Sequence, residues 1–116
     1  MTAEDKELLL KDLCSRLPYR VKLLHAPTNE ITNLEMIGNG VIDGNIHDLI
    51  ENFKPYLFPM SSMTKEQEIE CQQIKHSYYY DEDSFVLFDW YDKNHIDYRG
   101  LIPKGLAIDA TNLNIY

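Results

Sequence analysis

Asp89, Asp92 and His95 are the residues whose types and spacing come nearest to a reactive site in this sequence. Steps of three residues place their side chains along one edge of a helix. Two carboxylates and an imidazole can bind a divalent cation or transfer a proton, which would suit a small metal-dependent or hydrolytic enzyme. The favoured alternative is a solvated helix face opposite Phe88 and Trp90, because charged faces of surface helices are usually solvated.

A second candidate site follows directly, at His95, Asp97, Tyr98 and Arg99. These residues bring a base, an acid and a guanidinium together within five positions, and such a corner can bind a carboxylate or a phosphate. The alternative is that Asp97 caps a turn and pairs with Arg99. That alternative is favoured because aspartate commonly caps turns.

The third candidate is a run of aromatic and acidic residues after the second predicted helix. It comprises Tyr78, Tyr79, Tyr80, Asp81 and Asp83. The tyrosines can stack on a ligand or partner; alternatively, two of them pack and one points outward, which is favoured because tyrosine often buries its ring and keeps its hydroxyl wet. The acidic residues lack the glycine and the later glutamate of an EF-hand, so they predict a helix-boundary turn.

The remaining motifs do not indicate a catalytic or metal centre. Cys14, Cys71 and the four histidines are far apart and lack the C-x-x-C or H-E-x-x-H spacing of zinc sites. The string from Ser62 to Lys65 fits S-x-x-K, but the S-D-N and K-T-G elements that accompany it in serine–lysine enzymes are absent. We therefore predict no catalytic residue, no metal ligand and no cofactor.

A leucine stripe predicts an N-terminal helix over residues 3–17. Leu9, Leu13 and Leu17 recur at four-residue steps, so one face is apolar. Thr2 can cap the first turn, and Pro18 cannot continue the helix. The polar side of this helix is predicted to contain Lys6, Glu7, Lys11 and Asp12.

Residues 19–52 are predicted to form a small antiparallel β-meander of three to four strands. Alternating side chains indicate strands at 19–25, 30–38 and 46–51, with a short strand at 41–42 between two turn pairs, one Asn-Gly and one Asp-Gly. Because the connections are short, these strands are expected to pair antiparallel.

Residues 53–63 are predicted to be a stiff connector, because Pro55 and Pro59 each fix φ. Thr64 and Gln67 form a capping box that begins a helical part over residues 64–105. Within this part, residues 84–95 suit a helix or a strand, and a helix is favoured because side chains meet there at i, i+4. Residues 106–116 are predicted to be a C-terminal tail.

The predicted fold class is therefore α+β: an N-terminal helix, the meander, then two to three helices in a single compact domain of residues 1–116. The chain of 116 residues is 44% apolar and carries a formal charge of −8. That charge repels phosphate, so we expect no direct nucleic-acid binding. We expect no membrane span, since no apolar run approaches 18 residues, and the acidic N-terminus and two cysteines predict a cytoplasmic protein. The sequence does not specify an oligomeric state.

Three strings, KDLCSRLPY, FKPYLFPMSSMT and DWYDKNHIDYRGLIPKGLAI, resemble a set of small uncharacterised acidic proteins of gut bacteria. That set is associated with prophage and mobile-element gene neighbourhoods. The strings cover about a third of the chain. The resemblance implies one compact domain and an accessory role in a mobile element, and it transfers no activity, cofactor or catalytic residue.

We therefore expect a non-enzymatic protein-binding or accessory module with an unidentified protein partner. Its predicted contact surface is the region around residues 78–83 or the corner at residues 95–99. One alternative is an enzyme that uses Asp89, Asp92 and His95. The other is an acidic DNA mimic that inhibits a nucleic-acid-binding protein.

Overall fold

The computed structural model of the chain describes residues 1–77 and 84–116. Its α+β fold has an N-terminal helix, two β-sheets and later helices, which confirms the predicted fold class at this level. The helices are α1 (Ala3–Arg16), α2 (Lys65–Ser77) and α3 (Ser84–Lys93). The strands are β1 (Lys22–His25), β2 (Glu30–Asn33), β3 (Met36–Gly38), β4 (Val41–Asp43), β5 (Asp48–Leu49), β6 (Phe53–Pro59), β7 (Ile96–Asp97) and β8 (Ile108–Asp109).

Helix α1 begins where its sequence predicts and ends one residue early. The Thr2 side chain accepts a hydrogen bond from the backbone N–H of Asp5 at 3.0 Å and so caps the first turn. Pro18 lies in a 3-10 turn at Leu17–Tyr19, which follows the helix directly. The proline ring and its missing N–H prevent the α-helix from continuing.

The larger sheet has five strands in the order β2-β1-β6-β7, with β8 also paired to β6. The sheet is mixed, because β6 runs antiparallel to β1 and parallel to β7 and β8. The prediction of a connector at residues 53–63 was therefore wrong for residues 53–59. The remainder contains a 3-10 turn at Met60–Ser62, which the Ser62 hydroxyl closes by donating to the carbonyl of Pro59 at 2.7 Å.

The register of β6 explains how it accommodates two prolines. The N–H of Ala26 donates to the carbonyl of Asn52 at 2.9 Å, so hydrogen bonds between β1 and β6 fall at alternate residues from there. Pro55 occupies an intervening position, where its missing N–H removes no bond to β1. Pro59 is the last residue of the strand. The sequence alone does not reveal this register, because a distant segment sets it.

The predicted meander is divided between two sheets. Residues 30–38, predicted as one strand, form β2 in the larger sheet and β3 in a separate antiparallel sheet of order β3-β4-β5. Between them Leu34 is fully buried, and its N–H donates to the carbonyl of Val21 at 2.9 Å. This bond continues the register of β1 with β2 by one residue, and β3 begins two residues later, at Met36. The strand predicted at 46–51 is reduced to β5, because Ile50–Asn52 form a 3-10 turn.

The capping box predicted for α2 is confirmed. The N–H of Thr64 donates to Gln67 Oε1 at 3.0 Å, and the N–H of Gln67 donates to Thr64 Oγ1 at 3.1 Å. The preference for a helix over a strand at residues 84–95 is confirmed for residues 84–93. The helical part does not reach residue 105, because β7 follows α3, and the predicted tail at 106–116 contains β8.

Two hydrophobic clusters hold these elements together. The larger cluster draws buried side chains from α1, both sheets and the segment before β8; examples are Leu9, Leu13, Leu23, Ile42, Phe53 and Leu106. The smaller cluster joins α2, α3 and β7 through Cys71, Trp90, Tyr91 and Ile96. Within residues 1–77 and 84–116, no helix is long and apolar enough to cross a membrane.

Candidate functional site

Charged side chains are buried where α1, α3 and the turn after β7 meet. This group, the Arg16 cluster, consists of Asp12, Ser15, Arg16, Asp92, Tyr98 and Arg99. Asp12 and Arg16 are fully buried. Arg16 Nε donates to Asp12 Oδ2 at 2.8 Å, while Arg16 Nη2 donates to Asp12 Oδ1 at 3.1 Å and to the carbonyl of Ile96 at 2.6 Å. Arg16 therefore ties α1 to β7.

Arg99 and Asp92 bring a second pair of charges into the Arg16 cluster. Arg99 Nη1 donates to Asp12 Oδ1 and to Ser15 Oγ, both at 2.9 Å. Asp92 Oδ1 accepts from the Ser15 hydroxyl at 3.2 Å and lies 3.9 Å from Arg16 Nε. Two carboxylates thus face two guanidinium groups, and their formal charges cancel.

The ring of Tyr98 packs against the Arg16 cluster and links it to α3. Its hydroxyl donates to Asp92 Oδ1 at 2.9 Å, and its ring stacks on Phe88 and Tyr91 with centroids 5.3 and 5.2 Å apart. Arg99 Cζ lies 4.5 Å from the Tyr98 centroid, in a cation–π contact. Burial raises the pKa of Tyr98 to about 12 and also raises the pKa of Asp92, so the hydroxyl stays protonated and remains a donor.

The prediction that Asp12 lies on the polar side of α1 was wrong. The sequence does contain one signal, because Asp12 and Arg16 have the i, i+4 spacing of a helical ion pair. That spacing does not distinguish a surface pair from a buried one. Whether the pair is buried depends on which other residues contact it. One of them, Arg99, lies 87 positions from Asp12 in the sequence.

Asp97 caps a turn, as the sequence favours, but it does not pair with Arg99. Its Oδ1 accepts from the N–H of Leu101 at 2.8 Å, and its Oδ2 accepts from the N–H of Ile102 at 2.9 Å. The predicted pairing with Arg99 was wrong, because Arg99 pairs with Asp12 instead. Both oxygens of Asp97 are therefore committed to the turn after β7.

His95 lies apart from the other candidates. Its φ of 59° takes the chain out of the helical conformation after α3, and its ring stacks on Tyr116 with centroids 3.9 Å apart. Burial lowers the pKa of His95 to about 4, and the positive charges of Arg16 and Lys22 act in the same direction. The imidazole is therefore neutral near pH 7. Its Nδ1 is buried without a hydrogen-bond partner in the described part of the chain.

Tyr116 fixes the ring of His95 and also extends the larger sheet. Its hydroxyl accepts from the N–H of Lys22 and donates to the carbonyl of Tyr56, both at 2.8 Å. These two groups are the next pair in register between β1 and β6, so the hydroxyl bridges a gap in the ladder. The residue is 44% exposed, yet burial of its hydroxyl raises the pKa of Tyr116.

The predicted edge of Asp89, Asp92 and His95 does not form one site. The Tyr19 hydroxyl donates to Asp89 Oδ1 at 2.5 Å, Asp92 belongs to the Arg16 cluster, and His95 lies apart as described. Across residues 1–77 and 84–116, no group of three His, Cys, Asp or Glu side chains is arranged to hold a metal ion. Steps of three residues share an edge only while a helix continues, and α3 ends at Lys93.

The candidate surface at Tyr78, Tyr79, Tyr80, Asp81 and Asp83 lies outside the described residues. Its role in partner binding stays a prediction.

A second polar group, the His25 relay, consists of Thr28, His25 and Asp48, and the sequence pattern does not reveal it. His25 Nδ1 lies 2.7 Å from Thr28 Oγ1, and Nε2 lies 2.7 Å from Asp48 Oδ2. Asp48 Oδ1 also accepts from the N–H of Leu49 and from Asn52 Nδ2. A hydroxyl, an imidazole and a carboxylate in this order are the arrangement that activates a nucleophile in enzymes. Because His25 is only 4% exposed and joins the β1–β2 turn to β5, we assign the relay a structural role.

A groove of about 430 Å³, the α3 groove, opens beside α3 and borders the Arg16 cluster. Aromatic and charged side chains share its lining: Phe85, Phe88, Asp89, Asp92, Tyr98 and Arg99. Phe85 is 67% exposed and Phe88 is 43% exposed. The i, i+3 spacing of these two phenylalanines places them on the same side of α3.

A second groove of about 750 Å³, the α2 groove, runs along α2. Its apolar lining includes Met60, Met63 and Ile69, the last of which is 53% exposed. Lys65 and Glu68 place charges of both signs in the same lining. Lys75 lies in this lining too, so the α2 groove is roomy and apolar, with one more positive than negative formal charge.

Comparison of the chain with protein-family models, with curated protein sequences and with solved structures gave no significant match.

Proposed function

We propose that this chain is a non-enzymatic protein-binding module that contacts its partner through the α3 groove. The observation that carries this proposal is the exposure of Phe85 and Phe88 side by side on α3. Contiguous exposed apolar patches mark contact surfaces, and aromatic residues are enriched at the centres of protein interfaces.

The Arg16 cluster supports this proposal by holding one wall of the α3 groove. Tyr98 and Arg99 line the groove, and hydrogen bonds to Asp12, Ser15 and Asp92 hold their side chains at the same time. Side chains that are ordered before binding lose little conformational entropy when a partner arrives. This wall of the groove is therefore preorganised for contact.

No specific observation favours either alternative function. Asp92 and Asp97 are buried and engaged in internal hydrogen bonds, which makes them unsuitable as metal ligands or as phosphate mimics on a surface. His95, the third residue of the enzyme alternative, stacks on Tyr116. An accessory role in a mobile element is part of the proposal and rests on the sequence resemblance alone.

Photo-crosslinking in the source organism tests the proposal. One variant carries p-benzoylphenylalanine in place of Phe85; the matched control carries it in place of Met36, which is 62% exposed on β3. We expect irradiation to join a discrete protein to the variant at position 85 and not to the control. The same adducts at both positions, or no adduct at position 85, would contradict a binding role for the α3 groove.

A further inference from the structure

Asp89 gives the α3 groove its uncompensated charge. The Arg16 cluster is formally neutral, because Arg99 and Arg16 face Asp12 and Asp92. Asp89 is exposed at the groove, and its described hydrogen bond comes from the neutral hydroxyl of Tyr19. The lining is therefore negative on balance, in a chain whose formal charge is −8.

The α3 groove already contains one stacked cation. Arg99 lies over Tyr98, and the Tyr98 ring is nearly parallel to that of Phe88, with 8° between the two planes. Phe88 continues this stack and keeps 43% of its surface exposed. An aromatic face attracts a cation because its quadrupole is negative there. The stack thus offers an exposed ring beside the carboxylate of Asp89.

We infer that the α3 groove binds a basic segment of the partner protein, with an arginine or lysine side chain set against Phe88 and Asp89. This inference rests on the proposed function and adds the chemistry of the partner to it. An acidic segment would meet like charge at Asp89, and a wholly apolar segment would leave that carboxylate without a counter-charge. Apolar residues beside the basic one would cover Phe85, which is 67% exposed.

The α2 groove is larger but does not identify a partner in the same way. Lys65 and Glu68 carry opposite charges in its lining, and Gln72 and Gln73 add neutral polar groups. Lys75 lines this groove as well, so its formal charge is positive on balance, but Tyr91 in the same lining is only 4% exposed. Charge and an exposed aromatic ring therefore do not favour one class of segment together there. In the α3 groove, by contrast, the sign of the charge and the exposed ring point to the same class of ligand.

Peptide titration tests the inference directly. The probe is a fluorescently labelled heptapeptide with two arginines and two leucines among glycines, used with lysine and glutamate versions at an ionic strength of about 0.15 M. We expect the arginine and lysine peptides to bind and the glutamate peptide not to bind. With the arginine peptide, the amide NMR shifts should concentrate in α3 and residues 96–99. Whichever basic peptide binds more tightly identifies the preferred cation.

Matched variants separate a specific site from general attraction to an acidic protein. Asp89→Asn and Glu66→Gln each remove one exposed negative charge, but only Asp89 lines the groove. We expect Asp89→Asn to weaken peptide binding about three- to fivefold and Phe88→Leu to weaken it about two- to fivefold. Glu66→Gln should have a much smaller effect. Because Phe88 also stacks on Tyr98, Phe85→Leu serves as a second aromatic variant.

Three results of the peptide titrations would overturn the inference: equal effects of Asp89→Asn and Glu66→Gln, binding of the glutamate peptide, or no binding of either basic peptide. A dimer that Phe88→Leu dissociates in sedimentation would also overturn it, because the occupant would then be a second copy of this chain. If crosslinking at position 85 captures a partner but the basic peptides fail, the proposed function stands and the partner chemistry is wrong. If the peptides bind and crosslinking fails, the cation site stands and the protein-binding role does not.

Discussion

The Arg16 cluster and the His25 relay both join segments that are distant in sequence, but they do so in different surroundings. In the Arg16 cluster, the side chains of Asp12 and Arg16 are completely removed from solvent. In the His25 relay, the side chain of Asp48 keeps 30% of its surface exposed. The first arrangement balances two full charges of each sign, whereas the second links a hydroxyl, an imidazole and one carboxylate.

The difference shows how burial determines what a charged contact contributes. A buried ion pair repays the cost of desolvation only when its geometry is good and its remaining polar atoms find partners. The Arg16 cluster meets most of this demand with hydrogen bonds from three segments of the chain, while Arg16 Nη1 is buried without a partner among the described residues. The desolvation cost of the His25 relay is smaller, because water still reaches Asp48 and screens its charge.

Breaking the Arg16 cluster should produce the largest effect. Arg16→Met removes one guanidinium and leaves Asp12 and Asp92 buried with only Arg99 to balance them. We expect a loss of about 3–5 kcal/mol in the free energy of unfolding, because an uncompensated buried charge remains. Urea denaturation at pH 7 measures it. Lys11→Met, at an exposed position of the same helix, is the matched control and should change stability by no more than about 0.5 kcal/mol.

The double variant Asp12→Leu/Arg16→Met sharpens this test. It removes one charge of each sign, so it should recover part of the stability lost in Arg16→Met. If the double variant is less stable than Arg16→Met, charge balance is not what the cluster supplies to the fold.

Breaking the His25 relay should have a smaller effect. Thr28→Val keeps the shape of the side chain but removes the hydroxyl that bonds to His25 Nδ1. We expect a loss of about 1 kcal/mol in the free energy of unfolding, the usual net contribution of a neutral hydrogen bond. Thermal unfolding followed by circular dichroism measures it. A loss as large as that of Arg16→Met would show that the two regions do not differ in the way proposed.

The smallest but most direct contrast should be the difference between the pKa values of Asp48 in the His25 relay and Asp92 in the Arg16 cluster. Hydrogen bonds, first of all from His25, lower the pKa of Asp48 below 3.8, while burial raises the pKa of Asp92 above 3.8. Carboxyl carbon shifts in NMR measure both midpoints, and we expect them on opposite sides of 3.8. Titration of both groups on the same side would remove the contrast between the two regions.

The two pKa shifts also have opposite consequences for stability. Asp48 contributes stability that is present above pH 3.8 and is lost as the pH falls through its lower folded-state pKa. Asp92 instead lowers stability above its raised folded-state pKa, and that cost disappears as the pH falls below 3.8.

The parts of the fold that the sequence predicts correctly are those set by neighbouring residues. The Thr2 cap, the Pro18 stop and the Thr64–Gln67 capping box each involve positions within four residues of one another or of the helix end that they mark. The turn-capping role of Asp97 belongs to the same class, since its partners are Leu101 and Ile102. Local chemistry decides such features before the chain has a tertiary structure.

The parts that the sequence predicts wrongly depend on distant partners. Pro55 indicates a connector when the sequence is read alone, because its register against β1 is set by a distant segment. The helical pattern predicts a polar, exposed face for Asp12, because the pattern does not contain the ion pair with Arg99 from the other end of the chain. The sequence did not predict the α3 groove, because helical periodicity does not tell which of Phe85, Phe88 and Trp90 is covered.

The pairing of β6 has a consequence for cleavage of the chain. β6 pairs with β1 on its N-terminal side in the sequence and with β7 and β8 on its C-terminal side. A protease that cuts between α2 and β7 would therefore leave two fragments that share one sheet. Each fragment alone would present unpaired backbone edges, which favour aggregation. The nicked protein would keep its fold only while the fragments stay together, so a denaturing gel and a native gel of the same digest would disagree.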